Sequence, residues 1–242
     1  MTRVVSAELL KLRTTRTFWW LACSAVGLVL LIVVLTLWLD DQLNSATDVR
    51  SLLSTAGISG LLTLVLGVVV GAGEYRHGTI ASTLLVTPQR LRAVSATVIA
   101  CFAGGLAIGV MAGGLTALIA LPWLSAKDAV IVPSTGETLE IFVGGALYAA
   151  LAAALGAALG ALLRNQVAAV VIVLVLIFVV DPTLAALVED IGQFTLTGLG
   201  IAMSGGADDT DVLPRGVAAV IWLLYTALLA TLAAIVTARR DI

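Results

Sequence analysis

Charge is scarce in this chain, and the scarcity decides its class. Asp, Glu, Lys and Arg make up 12% of the 242 residues, against about 25% in a soluble domain. Five or six uncharged stretches stand in their place, each long enough to cross a bilayer, which takes ~20 apolar residues. The expected fold class is an all-α polytopic membrane protein, one transmembrane domain over residues 1–242 with six transmembrane helices. The alternating segments of a membrane β-barrel, ~10 residues each, are missing. Histidine is limited to His77. No H-E-x-x-H zinc site exists, and a Ser–His pair would have only Glu74 to orient its ring. Lysine is limited to Lys11 and Lys127, neither behind a glycine loop. Without G-x-x-x-x-G-K-[ST], nothing here cradles ATP phosphates. Cys23 and Cys101 both lie in apolar runs and read as packing residues rather than a disulfide or metal pair. No enzymatic activity, cofactor or metal is expected of this chain itself. A secretory signal peptide is not expected either. The first apolar run is too long, and Asp40-Asp41 follows it in place of a cleavage site.

Charge is also missing at mid-depth in every span. A charge there costs roughly 2.5–3.5 kcal/mol on insertion scales and marks ion paths and proton relays. Its absence disfavours a self-sufficient secondary carrier, although backbone carbonyls also bind sodium.

What is present follows in chain order. In residues 1–17, Val5, Leu9 and Leu12 form one apolar stripe among Arg3, Lys11, Arg13 and Arg16. That pattern predicts a helix lying in the membrane interface rather than a disordered basic tail. Spans are expected at about 18–39, 52–73, 98–122, 141–163, 166–180 and 217–238. Trp19, Trp20 and Trp38 flank the first, where interfacial aromatics belong. The uncharged run 93–126 is too long for one span, so its first turns are expected to project into the interface. Arg164-Asn165-Gln166 reads as a tight turn. The fifth span is expected to end at Asp181-Pro182, with Asp181 placed to cap a new helix. Residues 181–215 mix six acidic-rich positions with the glycine-rich run Ile191–Ala207. They read as an outer loop containing a re-entrant or interfacial hairpin, tolerated where protein surrounds the backbone. Glycines four apart recur as Gly67 and Gly71, Gly105, Gly109 and Gly113, and Gly156 and Gly160. Such spacing lets helix backbones approach closely, and packing within the chain is the simplest use for it.

With six spans and an inside N-terminus, ten of the thirteen Lys and Arg residues fall on inner segments. Only Arg50, Lys127 and Arg215 fall outside, so both termini are expected to be cytoplasmic. One inner segment is dense in polar groups: the loop 74–92, with Glu74, Arg76, His77, Gly78, Thr79, Leu84, Leu85, Pro88 and Arg90. From the residues alone it is either a solvated loop meeting lipid phosphates or a docking site for a partner protein.

This loop resembles that of the permease subunits of the type-2 exporter class of ATP-binding-cassette transporters. There the second span ends in Glu, and Gly-Thr, paired leucines, Pro and a basic residue follow. Here those are Glu74, Gly78-Thr79, Leu84-Leu85, Pro88 and Arg90. The opening Glu8-Leu9, Lys11-Leu12-Arg13 is similar to the family's start, and the six-span layout extends the likeness over the chain. The resemblance implies that Thr79–Pro88 forms a short cytoplasmic coupling helix between spans two and three. It would be begun by Gly78-Thr79 and stopped by Pro88, and would dock on a separate ATPase subunit. Two ATPases holding ATP and Mg and a second permease copy, as a homo- or heterodimer, would complete an exporter in a bacterial inner or plasma membrane. The substrate would be amphipathic or hydrophobic: a drug, peptide or lipid. Nucleic acid is not an expected partner. The competing reading is a membrane anchor or assembly scaffold without transport.

Overall fold

Alanine and glycine set how closely the helices of this chain meet. The computed structural model describes residues 2–39, 45–76, 90–126, 134–206 and 213–239. These are helical nearly throughout, with no strand among the described residues. In order they form α1 (Thr2–Thr14), α2 (Arg16–Leu39), α3 (Ala46–Ser54), a 3-10 turn (Thr55–Ile58), α4 (Ser59–Arg76), α5 (Arg90–Ala126) and α6 (Thr135–Leu163). Then come α7 (Gln166–Val175), a π-helical turn (Leu176–Val180), α8 (Asp181–Leu187), α9 (Glu189–Gly192), α10 (Leu196–Ser204) and α11 (Arg215–Arg239).

Six segments among the described residues are long and apolar enough to cross a membrane: Arg16–Leu39, Thr47–Gly73, Arg92–Ser125, Thr135–Leu163, Gln166–Leu187 and Arg215–Val236. The chain is an all-helical protein of multi-pass membrane character. The fourth segment is its axis: 78% of that window is buried, against 22% for each of the fifth and sixth.

The axis is built from small residues. Ala149, Ala150, Ala152, Ala153, Ala154, Ala157 and Ala158 of α6 are all buried. A Cβ on Gly67 would overlap the Ala153 carbonyl oxygen, and one on Gly71 would overlap that of Ala157. On α6 itself, a Cβ on Gly156 would overlap the Leu64 carbonyl. From the other side, Gly105 and Gly109 of α5 meet Ala149, Ala153 and Ala146. The glycine spacing thus serves packing within the chain, backbone on backbone, as close approach requires. Thr63 adds a polar tie, donating from Oγ1 to the Ala149 carbonyl at 2.9 Å.

The spans alternate between two ends. At one, which we call the basic end, the side chains of Val94, Ala161 and Ala233 cluster, and Arg164 donates to the Val236 carbonyl at 3.5 Å. Arg164 closes α6 in the left-handed conformation, φ 55°, and the Asn165 side chain caps α7. The tight turn at 164–166 is therefore as the sequence predicts. At the opposite, acidic end, Arg50 meets Glu137 at 3.2 Å and Arg215 meets Glu140 at 2.9 Å.

The α1 helix forms. Of its apolar stripe Leu12 is buried and Val5 half-buried, while Leu9 is exposed, and Glu8 is buried beside Lys11 at 3.7 Å. Leu12 and Phe18 pack over Gly104. One expectation needs correcting: the fifth span-length helix does not stop at residue 180. Helical backbone continues through the π turn into α8, and the Asp181 side chain caps nothing locally. Pro182 follows the π turn directly, where the Asp181 N–H reaches back five residues to the Leu176 carbonyl.

The 37 residues of α5 run unbroken, with Pro122 in the last turns. At ~1.5 Å per residue such a helix outreaches the ~30 Å hydrocarbon core. Its first turns lie beyond the level of Gly104, where α1 packs.

Candidate functional site

The polar loop singled out in the sequence lies between α4 and α5. Glu74 and Arg76 belong to the last turn of α4, and Arg90 opens α5. His77, Gly78, Thr79, Leu84, Leu85 and Pro88 lie outside the described residues, as does the expected coupling helix at 79–88. Its flanks are firmly built. Ala72 is fully buried, a Cβ on Gly71 would strike the Ala157 carbonyl, and Gly160 fits against Val68 and Ala72. On the other flank Ala93, Val94 and Ala96 are buried. Both flanks stand at the basic end, near Arg92 and Arg164. Whatever meets this loop reaches α6 through two helices seated directly on it.

A second polar constellation stands at the acidic end, and sequence reasoning missed it. Asp181 is 4% exposed. Its Oδ2 accepts the Thr197 backbone N–H at 2.8 Å and the Thr197 hydroxyl at 2.9 Å. A buried carboxylate is costly unless it is hydrogen-bonded, and charge-assisted bonds of this kind are the strong ones. Thr197 lies in the first turn of α10, whose cap is Thr195, accepting the Gly198 N–H at 3.0 Å. The residue expected to cap its own helix instead bonds the head of another, 16 positions on. It fastens the start of α10 to the fifth span-length segment. Asp181 also falls inside the fifth span-length segment, Gln166–Leu187, about two turns from its end.

Beside this carboxylate a groove of about 340 Å³ opens between the α3–α4 junction, α6 and α10. Ser51, Ser54, Thr55, Tyr148, Thr197 and Ser204 are among the residues lining it. Tyr148 is fixed in place by absence: a Cβ on Gly60 or on Gly200 would overlap its ring. Trp222 meets it edge-on at 5.6 Å.

The head of α6 holds the acidic end together. Ser134 and Glu137 form a capping box, with Ser134 N–H on Glu137 Oε2 at 3.1 Å and Glu137 N–H on Ser134 Oγ at 3.2 Å. The other oxygen of Glu137 receives Arg50 of α3. One turn later Glu140 receives Arg215 of α11. The S-x-x-E and S-x-x-D signatures at 134–137 and 45–48 were readable as helix starts, but their tertiary partners were not.

Among the described residues no cluster of three or more His, Cys, Asp or Glu is arranged to hold a metal ion. No protein-family model and no curated protein matches the chain.

Proposed function

We propose that this chain is the membrane-spanning subunit of an ATP-driven exporter, resembling the type-2 permeases of the ATP-binding-cassette class. The observation that carries the reading is the Glu74–Arg90 motif, set between two span-length helices that both seat on α6. In this reading the basic end is cytoplasmic, with both termini there, in a bacterial cell membrane. The 74–92 loop docks on a separate ATPase that holds ATP and Mg, and the permease works as a pair with two ATPases. Movement of the docked loop enters the bundle through α4 and α5, whose glycines lock them to α6. An apolar bundle with a largely apolar groove at its far end suits an amphipathic or hydrophobic cargo. The acidic-end hairpin, held by Asp181 and Thr197, forms the outer cover.

The test is co-purification. The chain, tagged at its C-terminus and extracted from native membranes in mild detergent, is expected to bring down a stoichiometric P-loop ATPase. Altering residues 76–88 is expected to release that ATPase while leaving the chain monodisperse. A clean homo-oligomer without ATPase overturns the reading.

Asp181 favours a second reading. A hydrogen-bonded acid within a span is a default mark of ion or proton coupling. A secondary carrier predicts uptake by the purified chain in liposomes under a pH or sodium gradient, abolished by Asp181→Asn. Gradient-driven uptake without any ATPase would displace the exporter reading.

A further inference from the structure

A second groove, of about 490 Å³, runs between α6, α10 and α11 from the acidic end toward the membrane interior. Its walls are Val143, Gly144, Leu147, Met203 and Ala219, almost entirely apolar, and its mouth carries Glu140 and Arg215. We propose that it binds one phospholipid of the ethanolamine class. The phosphate lies on Arg215, the primary ammonium on Glu140, and one acyl chain lies along the groove. The inference rests on the multi-pass character of the chain and not on the exporter reading.

Three features support it. The first is depth. Glu140 and Arg215 stand near the heads of their helices, where a span-length segment meets the interface. From Glu140 to Leu147 the groove follows α6 for about 10 Å, at ~1.5 Å per residue. A lipid seated there has its headgroup beside charge and its tail beside hydrocarbon.

The second is shape. Gly144 has no side chain, and a Cβ there would overlap the Met203 carbonyl, so α6 and α10 touch at the groove floor. Ala219 keeps the α11 wall low. Leu139 and Val143 are exposed along the rim.

The third is charge. Arg215 and Glu140 are paired at 2.9 Å, with side-chain exposures of 31% and 71%. Both are reachable, and together they present a cation and an anion side by side. Gly205, at φ 76°, backs the guanidinium closely, since a Cβ there would lie 2.8 Å from Nη2. Arg215 is thereby held at the mouth. A purely anionic headgroup would satisfy Arg215 but set its own charge against Glu140. A zwitterionic headgroup satisfies both. A primary ammonium offers three N–H donors to the carboxylate, where a trimethylammonium offers none.

The full chain, purified in mild detergent and exchanged into nanodiscs of equal phosphatidylethanolamine, phosphatidylglycerol and phosphatidylcholine, is then ejected and weighed by native mass spectrometry. We expect one retained phosphatidylethanolamine per chain, several-fold over each of the other two. Glu140→Gln is expected to bring the ethanolamine-to-glycerol ratio to unity. Val143→Trp fills the groove from an exposed rim position and is expected to lose retained lipid of every headgroup. Equal retention of the three lipids by the unmodified chain overturns the proposal without recourse to a variant. Undiminished retention by a monodisperse Val143→Trp chain overturns it as well.

Discussion

Two glycines separate packing from propensity. Gly27 in α2 has open space where a Cβ would stand, whereas a Cβ on Gly67 in α4 would run into the Ala153 carbonyl. The same change to alanine should therefore have opposite signs. Gly27→Ala is expected to stabilise by about 0.5–1 kcal/mol, the cost of glycine inside a helix. Gly67→Ala is expected to destabilise by about 1–3 kcal/mol, as overpacking does. Unfolding in detergent, followed by circular dichroism, reads both; a stabilised Gly67→Ala would refute the backbone contact. A second pair isolates Asp181. Thr197→Val removes one of the two donors to the buried Asp181 carboxylate and should cost about 1–3 kcal/mol. Thr36→Val removes a hydroxyl bonded only to the Ile32 carbonyl of its own helix and should cost little. Equal effects would mean that the Asp181–Thr197 tie contributes nothing to the fold.

At the scale of elements, the head of α6 is a junction. Glu137 joins α3 and Glu140 joins α11 through exposed ion pairs, which solvent screens. A double-mutant cycle on Arg50→Ala and Glu137→Ala should give a small but measurable coupling; zero coupling would leave the capping box as Glu137's only role. This junction also marks the limit of what was legible beforehand. Span positions were readable because uncharged length alone decides whether a helix crosses a membrane, and the four-residue glycine spacing announced close packing. The partners of Asp181, Arg50 and Arg215 were not readable, because they lie 16, 87 and 75 positions away in sequence. Asp181-Pro182 has the composition of a local helix start, and the tertiary hydrogen bond to α10 prevailed over it. The loop 74–92 could be read only as a pattern of residue types, and its central positions lie outside the described residues.

For the whole molecule, alternation of the spans between two ends makes a prediction about sidedness. Asn165 lies in the turn at the basic end and Gly136 in the first turn of α6 at the acidic end. In a chain lacking Cys23 and Cys101, N165C and G136C should be labelled by a membrane-impermeant maleimide from opposite faces of the membrane. Labelling of both from one face would break the six-span arrangement.

The alanine and glycine face of α6 carries one more implication. Side chains of these two residues have no rotamers to lose or exchange, so where Gly67, Gly71, Gly105 and Gly109 meet α6 the contact cannot be rearranged by turning side chains. Those three helices are expected to behave as a stiff keel. Changes of shape are then expected at the rim, in α2, in the α7–α8 helix with its π turn, or in the α10 helix that Asp181 fastens.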